Sequence, residues 1–276
     1  MIKVRTLTSA AVRSFQKTIY QYFSTHARDL PWRNTVNPYH ILVSEIMLQQ
    51  TQVERLIEKY GQFIKQFPDF YRLSRAPLWK ILTVWQGLGY NRRAIALKQI
   101  ACKVMEEYHG NLPSDPEVLK TFPGIGEATA GAVAAFAFNQ PAIFLETNIR
   151  RVFIHHFFSH KATVRDTEFL PLIEKTLDTS NPRKWYYALM DYGVMLKKEQ
   201  QNPNRKSAHY QKQSPFEGSN RQIRGMILKI LTRERSLSQG EMAKIMGKAI
   251  HNVHDSLIQL QKEGFIRKRG GKFTIE

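Results

Sequence analysis

The sequence has a single cysteine, Cys102, among its 276 residues. One thiol excludes a disulfide within the chain, a cysteine-ligated zinc site and an iron–sulfur cluster held by one chain. Long apolar runs are missing too, and residues 1–9 lack the apolar core of a signal peptide. We therefore expect a cytoplasmic protein with no membrane span, whose chemistry uses oxygen and nitrogen side chains.

Acidic residues are scarce, because 23 Asp and Glu stand against 41 Lys and Arg, which leaves a net charge of +18. Such a charge repels itself in the compact state, and a polyanion relieves that repulsion. Nucleic acid is therefore the expected partner, ahead of a membrane surface. The 42% of apolar residues suffices for a full core and rules out a disordered tail protein.

Helical periodicity dominates the chain up to about residue 195, including a continuous stretch from Pro38 to Phe63. Residues 197–221 are polar, basic and broken by two prolines, as in a linker or an ordered loop. Short helices are predicted at 223–231, 239–246 and 252–263. Residues 265–275 alternate like a hairpin that turns at Gly270-Gly271. Three helices and a basic hairpin resemble a winged helix.

The segment from Lys197 onward is the more cationic part of the chain, with 17 basic and 7 acidic residues. This charge favours phosphate contact with a salt-dependent affinity. A small interaction module whose charges are merely solvated is the alternative.

A glycine turn, Phe122-Pro123-Gly124-Ile125-Gly126, precedes a helix of small residues from Glu127 to Val133. Two glycines permit backbone conformations closed to other residues, and the amides at a helix start attract a phosphate. A plain tight turn between packed helices is the alternative. The Ala and Gly face of the following helix lets another backbone approach closely.

Two glutamates stand out from their surroundings. Glu45 falls on the apolar stripe of its predicted helix, where burial would raise its pKa and suit it to deliver a proton. A core glutamate paired with an arginine is an equal alternative. Glu146 opens a helix at Thr147, where an ordinary capping carboxylate is the simpler interpretation.

Seven short motifs follow one another along the chain. They are Leu30-Pro31-Trp32-Arg33, Pro38-Tyr39, the run from Ser44 to Val53, Gly87-Leu88-Gly89-Tyr90, Pro123-Gly124-Ile125-Gly126, the run from Asn148 to Val152, and Met190-Asp191-Tyr192-Gly193. In this order they resemble the helix-hairpin-helix DNA glycosylases over roughly residues 28–196, and most closely the adenine DNA glycosylases that act on adenine opposite 8-oxoguanine.

The resemblance implies a role for each matching residue. Glu45 would protonate the everted base, and Glu146 would face the sugar. Gln50 and Tyr90 would enter the duplex as a wedge, because a base inside the stack cannot be reached. The base pocket would include Leu30, Trp32, Arg33, Ala128 and Tyr187. The hairpin would hold phosphate through Gly124, Gly126 and Thr129, with a monovalent cation on the carbonyls of Lys120, Phe122 and Ile125. Further DNA contacts would come from Arg205, Lys206, Lys268 and Arg269.

Three positions of the presumed site depart from the family. Ala128 stands where the endonuclease III branch has a nucleophilic lysine, so we expect a monofunctional glycosylase without lyase activity. Glu146 replaces the usual aspartate and adds one methylene, which alters positioning near the sugar. Tyr187 stands where a glutamine or glutamate is expected, which puts adenine itself in question.

The largest departure concerns the cluster cysteines, whose positions hold Lys197, Asn204, Ser207 and Gln213. We expect no iron–sulfur cluster and no other cofactor, apart from Na⁺ or K⁺ at the hairpin. Residues 202–216 would replace the cluster by packing and hydrogen bonding. The family's carboxyl-terminal domain, which helps to recognise 8-oxoguanine, is also replaced by the short winged-helix-like segment.

The expected fold is all-α, with two subdomains of the helix-hairpin-helix glycosylase type and a C-terminal winged-helix-like domain. The predicted segments are an N-terminal helix at 1–30 that packs on the second subdomain, a six-helix subdomain at 31–135, the second subdomain at 136–218 and the winged-helix-like domain at 219–276. The expected protein is a monomer at the nucleoid that removes a mispaired adenine from double-stranded DNA. The alternatives are a lesion-binding protein that does not cut, and a glycosylase for hypoxanthine or a modified pyrimidine.

Overall fold

The computed structural model of the chain describes residues 7–211 and 215–275. Their secondary structure is mostly helical, which agrees with the predicted all-α class. Helices α1–α6 are Ser9–His26, Pro38–Leu48, Val53–Gln66, Phe70–Arg75, Leu78–Trp85 and Arg92–Glu107. Helices α7–α11 are Pro116–Leu119, Glu127–Phe138, Thr147–Phe157, Leu170–Thr176 and Pro182–Glu199. Among the described residues, no helix is both long and apolar enough to span a membrane.

The described chain divides into two compact units, one from residues 7–45 and 113–211 and one from residues 46–112 and 215–275. These divisions differ from the predicted boundaries near residues 30, 135 and 218. In particular, α8 joins the first unit, because Arg183 of α11 donates hydrogen bonds to the carbonyls of Phe136 and Ala137 at the end of α8. The division into compact units does not show whether each unit folds by itself. The predicted domain boundaries therefore stay a prediction.

In the first unit, α1, α9 and α11 bury an aromatic core around Phe15, Phe153 and Trp185. Helix α11 lies so close to α9 that a Cβ at Gly193 would stand 2.5 Å from the Asn148 carbonyl oxygen. The Gly193 carbonyl in turn accepts a hydrogen bond from Arg151 at 2.6 Å. Glycine is therefore required at this position by the close approach of the two helices.

Helix α8 is buried along most of its length, and its small residues admit a neighbouring segment. A Cβ added at Gly131 would lie 2.6 Å from the Cβ of Phe144. The Ala and Gly face therefore admits the Phe144 side chain, and the predicted close approach of another backbone stays a prediction.

The second unit packs α3–α6 around fully buried side chains that include Phe63, Leu73, Trp85 and Ile100. The helical periodicity from Pro38 to Phe63 predicted one continuous stretch, but the structure ends α2 at Leu48 and starts α3 at Val53. The break falls at Gln50, whose φ of 54° lies in the left-handed region. Apolar periodicity does not reveal such a break, because the apolar residues on either side of it keep the helical three- and four-residue spacing.

The C-terminal segment forms α12 (Asn220–Glu234), α13 (Gln239–Met246) and α14 (Ile250–Lys262) with a three-stranded sheet. Strand β1 (Ser236–Ser238), which the sequence did not predict, pairs antiparallel with β3 (Lys272–Ile275). Strand β2 (Ile266–Arg269) pairs with the other edge of β3, and the hairpin turns at Gly270-Gly271 as predicted. We call residues 215–275 the C-terminal module. Its designation as a winged helix stays an interpretation.

Candidate active site

Glu45 lies in the first unit on α2, next to the fully buried Leu42 and Ile46. The residue as a whole is half-buried. Burial, together with the negative charge of Glu146, raises its pKa to about 8, while the Arg33 guanidinium acts in the opposite direction. A carboxylic acid with this pKa holds its proton at neutral pH, as the sequence predicted from the apolar stripe.

Glu146 is the N-cap of α9. Its Oε1 accepts the backbone amides of Asn148 at 2.7 Å and Ile149 at 2.8 Å, and its Oε2 accepts the Asn148 side-chain amide at 3.1 Å. Burial raises its pKa, while the two backbone amides and the charges of Arg151 and Arg150 act to lower it. The capping interpretation is therefore right, and the same bonds hold the carboxylate in one orientation.

The two carboxyl groups are close enough for the charge of Glu146 to act on Glu45. Their environments differ, because Glu45 has apolar neighbours and Glu146 accepts hydrogen bonds from a helix start. Such a difference separates the ionisation of two acids and favours the proton on the one with apolar neighbours. The chemistry that this arrangement permits is proton delivery beside a fixed negative charge.

Arg33 links the predicted base-pocket residues to a buried acid. Its guanidinium makes two hydrogen bonds to Asp191, at 2.7 and 2.8 Å, and lies 4.5 Å from the centre of the Tyr187 ring. Arg28 pairs with the same carboxylate, and these partners hold the pKa of Asp191 below its usual value against the effect of burial. Arg33 is therefore held in place by Asp191 while its charge acts on Glu45.

The other predicted pocket residues fall into two groups. Leu30, Trp32 and Tyr187 are buried, and the Tyr187 ring stacks on Phe136 at 4.4 Å. Ala128 is exposed in the first turn of α8. Their assignment to a base pocket stays a prediction.

The predicted wedge residues both have left-handed backbones in the second unit. Gln50 has a φ of 54° and Tyr90 a φ of 46°, which few residues other than glycine adopt. Backbone strain of this kind persists where surrounding contacts hold it, and it concentrates at functional sites. The geometry motivates the wedge hypothesis, and the role itself stays a prediction.

Arg93 holds both of these turns. Its side chain is buried and donates hydrogen bonds to six backbone carbonyls, those of Ile46, Met47, Gln49, Leu88, Gly89 and Tyr90. Three of these carbonyls precede Gln50, two of them in the last turn of α2 and one just after it, and the other three belong to the turn that ends at Tyr90. Burial lowers the pKa of Arg93 to about 10, so the group keeps its charge at neutral pH. Carbonyls at a helix end favour such a cation.

The helix-hairpin-helix turn lies between α7 and α8. Gly124 has a φ of 76°, as the tight turn requires, but Gly126 has extended backbone with a φ of −97°. Of the two glycines, only Gly124 uses a conformation that is closed to other residues. A Cβ at Gly126 would meet nothing within 4 Å. Thr129 is half-buried on α8, and its phosphate contact stays a prediction.

The predicted cation site involves the carbonyls of Lys120, Phe122 and Ile125. The Phe122 carbonyl accepts the Ile125 amide at 3.2 Å, and the Lys120 side chain pairs with Glu117. The cation stays a prediction.

The loop at 202–208 is held by direct hydrogen bonds. Asn202 accepts Arg151 at 3.1 Å, Asn204 donates to the Thr147 carbonyl at 2.9 Å, and the Val164 backbone pairs with the backbone on both sides of Ser207. This loop contains no cysteine, and the described part of the chain has no group of three or more His, Cys, Asp or Glu side chains arranged to hold a metal ion. Gln213, the last of the predicted cluster positions, lies outside the described residues.

The predicted DNA contacts of the loop and the module differ in exposure. Arg205 is exposed, whereas Lys206 is half-buried and donates to the Ser159 carbonyl at 2.5 Å. On β2, Lys268 and Arg269 are exposed, and the Lys268 ammonium lies 5.5 Å from the Phe273 ring centre. These contacts with DNA stay predictions.

Two functional candidates were missed by sequence reasoning. Asp191 lies in one of the quoted motifs but was given no role, although it pairs with Arg33 from 158 positions away. Arg93 was not considered, because an arginine in a basic helix gives no signal of burial. The glycine turn before Arg93, which leaves carbonyls to be satisfied, is the signal that could have found it.

The chain matches a family model described as "HhH-GPD superfamily base excision DNA repair protein" over residues 43–172. Curated proteins similar to it include an adenine DNA glycosylase of Buchnera aphidicola subsp. Baizongia pistaciae, 37% identical over 66% of this chain and 52% of that protein. An adenine DNA glycosylase of Homo sapiens is 32% identical over 68% of this chain and 36% of that protein. The chain thus spans about half or less of these relatives' length.

Solved structures are similar over larger shares of their own chains. A thermostable thymine-DNA glycosylase has a TM-score of 0.63 and 26% identity, covering 72% of this chain and 94% of that chain. An endonuclease III in a non-covalent DNA complex has a TM-score of 0.55 and 20% identity, and the match covers 90% of this chain and 100% of that chain. At that identity the second likeness concerns the fold alone. Together these similarities confirm the predicted helix-hairpin-helix glycosylase fold.

Proposed function

We propose that the chain is a member of the HhH-GPD superfamily of base excision DNA repair proteins, whose model matches residues 43–172, and that it is a DNA glycosylase that removes a mispaired adenine. The observation that carries the proposal is Glu45, a half-buried carboxylic acid whose pKa of about 8 reflects burial and the neighbouring Glu146. Curated adenine DNA glycosylases at 32–37% identity support adenine as the base. The net charge of +18 suits a polyanionic substrate.

In the proposed reaction, Glu45 donates its proton to a ring nitrogen of the everted adenine. The bond between that base and C1′ of the sugar breaks, and its electron pair leaves with the protonated base. The deoxyribose acquires oxocarbenium character, which the Glu146 carboxylate stabilises. A water molecule then adds to C1′ and returns a proton to the Glu45 carboxylate. The products are free adenine and an abasic site.

Release of free adenine from a duplex containing adenine opposite 8-oxoguanine tests this function. The wild-type protein should release the base under single-turnover conditions, and Glu45→Gln should lower the rate by about 10²–10⁴-fold. Glu127→Gln, at an exposed position of α8 in the same unit, is the matched control and should keep the wild-type rate. Absence of base release from this duplex and from a panel of damaged or mismatched duplexes would refute the proposal.

We propose further that the enzyme is monofunctional, because Ala128 stands where a strand-cleaving branch has its lysine. Strand breaks should then appear only after alkali treatment, and borohydride should trap no covalent complex. A trapped complex would contradict the monofunctional assignment and leave base removal intact.

A glycosylase for another base is the second candidate. It is favoured by Tyr187 and Glu146, which depart from the family pattern at the base edge and at the sugar, and by the similar thymine-DNA glycosylase at 26% identity. A duplex panel with thymine opposite guanine, hypoxanthine and modified pyrimidines distinguishes it by the base that is released. A lesion-binding protein that does not cut is excluded by release of any base.

The cofactor, oligomer and location complete the proposal. We propose a monomer at the nucleoid without an iron–sulfur cluster, in which hydrogen bonds at 202–208 hold the loop. Light scattering should give a mass near the 32.1 kDa of the chain, and anaerobically purified protein should lack visible absorption. Iron and sulfide in stoichiometric amounts, or a dimer's mass, would contradict these points.

A further inference from the structure

Tyr90 ends a turn whose backbone is unusual at three of four positions. Gly87, Gly89 and Tyr90 all have positive φ, at 90°, 70° and 46°. The Gly89 carbonyl accepts hydrogen bonds from the Trp85 indole at 3.1 Å and from Arg93 at 3.0 Å. The backbone that presents Tyr90 is therefore fixed from inside the second unit.

The side chain of Tyr90 is held by an arginine far away in the sequence. Arg221 donates from Nη1 to the Tyr90 hydroxyl at 2.7 Å, and its guanidinium carbon lies 5.6 Å from the ring centre. The guanidinium carbon of Arg93 lies at the same distance from that ring. A cation near an aromatic ring is attracted to its face. Arg93 thus holds the backbone of the turn and lies near the Tyr90 ring, whereas the hydroxyl of Tyr90 is held by Arg221.

Helix α12, which carries Arg221, is itself anchored beside the same turn. Arg224, one turn further along α12, pairs with Glu263, and Arg92 at the start of α6 binds the same carboxylate at 2.6 and 2.8 Å. The two guanidinium groups lower the pKa of Glu263 to about 2. The Gln86 side chain also donates to the Thr232 hydroxyl at 2.7 Å. The C-terminal module is therefore joined to the segments on both sides of the turn.

We infer that the C-terminal module orients Tyr90 for insertion into the duplex, with Arg221 as the positioning residue. This inference rests on the proposed glycosylase function and on the wedge role of Tyr90. A side chain held in one orientation before binding loses less conformational entropy when it enters the DNA. The module thus acts on base eversion through Tyr90, in addition to any contact that its own surface makes with phosphate.

A double-mutant cycle with Arg221→Ala and Tyr90→Phe tests the interaction in the full-length protein. Each single change should lower the unfolding midpoint by about 2–4 °C, and the double variant should fall no further than the larger single effect. Arg233→Ala, at an exposed arginine of the same helix, should leave the midpoint unchanged. Additive effects would show that the two side chains do not act together and would overturn the inference.

Base eversion supplies the functional readout. A fluorescent adenine analogue at the target position reports eversion without requiring bond cleavage. Arg221→Ala and Tyr90→Phe should each lower the everted fraction about fivefold, and the double variant should show the same reduction. Under single-turnover conditions the rate should fall by the same factor, with affinity for undamaged duplex and its salt dependence unchanged.

Other outcomes would point elsewhere. A salt dependence reduced by about one phosphate contact in Arg221→Ala would make Arg221 a DNA contact and refute positioning. If wild-type protein everts the analogue but releases no base, the proposed glycosylase function fails while the eversion cycle still tests the inference. If Tyr90→Ala has no effect on eversion, the wedge role fails and the inference with it.

Discussion

The two compact units differ in the partners of the buried charges near their predicted functional residues. In the first unit, Glu45 has a like charge nearby in Glu146, and Arg33 makes an ion pair with Asp191. In the second unit, the buried guanidinium of Arg93 donates to backbone carbonyls. The charge near Glu45 changes the pKa of that residue, whereas the carbonyls around Arg93 are held in place and fix the backbone of two turns. Under the proposed function, the first unit carries the proton chemistry, and the carbonyl cluster of the second unit fixes the shape of its turns.

The largest expected effect comes from Glu146→Gln, which keeps an acceptor oxygen for the helix cap and removes the charge. The base-release rate should fall by about 10²–10³-fold, because the variant has no fixed charge near the developing cation. Removing this negative charge should also lower the pKa of Glu45. The alkaline limb of the pH–rate profile should therefore move from about 8 to lower pH.

Glu146 has two roles, as a charge and as a helix cap, and a second variant separates them. Glu146→Ala additionally removes the cap of α9 and should reduce stability by about 1 kcal/mol, which denaturant unfolding measures. An unchanged alkaline limb in Glu146→Gln would mean that the two carboxyl groups do not interact, and the assignment of Glu45 and Glu146 as a catalytic pair would fail.

Arg93→Ala tests the second unit and should lower the free energy of unfolding by about 3 kcal/mol, since it leaves buried carbonyls without their charged donor. Arg92→Ala changes the neighbouring position, where the side chain is 73% exposed, and should cost less than about 1 kcal/mol. Chemical denaturation of both variants gives the difference. Equal losses of stability would mean that the carbonyl cluster contributes nothing particular to the fold.

The pH dependence of stability should differ between wild-type protein and Glu45→Gln. Because the folded-state pKa of Glu45 is raised from 4.5 to about 8, folding favours its protonated form. The stabilisation from this group is present below pH 4.5 and is lost as pH rises to 8, by up to about 1.4 kcal/mol per pH unit. Glu45→Gln should not show this decrease, and its advantage should be greatest above pH 8.

Denaturant unfolding of the two proteins at several pH values measures this difference directly. A constant difference in stability from pH 4.5 to 8 would mean that Glu45 ionises normally. It would then carry no proton at neutral pH, and its assignment as the acid would have to be abandoned.

Much of the first unit was predictable from the sequence, because periodicity and glycine placement are local signals. Glu45 on an apolar stripe, Glu146 at a helix start and the small residues of α8 all follow from residues within two turns of each position. Local patterns do not contain the pairing of Arg33 with Asp191, because these two residues are 158 positions apart in the sequence. An ion pair with that separation depends on how helices pack.

The second unit was harder to predict for the same reason. The hairpin of β2 and β3 follows from alternation and Gly270-Gly271, whereas β1 has three residues and depends on its pairing with β3. The turn at Gln50 interrupts a periodic stretch without changing its spacing. Arg93 bonds to carbonyls, which every residue carries, so no side-chain pattern marks its partners.

The smallest expected effect concerns the basic hairpin of the second unit. If Lys268 and Arg269 bind phosphates, the double alanine variant should bind undamaged duplex several-fold more weakly. Its logarithmic salt dependence should fall by about 0.9 for each phosphate that is no longer neutralised. The single-turnover rate of base release at saturating protein should stay at the wild-type value, because the proposed acid Glu45 belongs to the first unit.

Lys229→Ala, at an exposed position of α12, is the control variant that removes one positive charge outside the hairpin. A reduced rate at saturation would show that the hairpin takes part in the reaction itself, and the division of labour between the two units would be wrong.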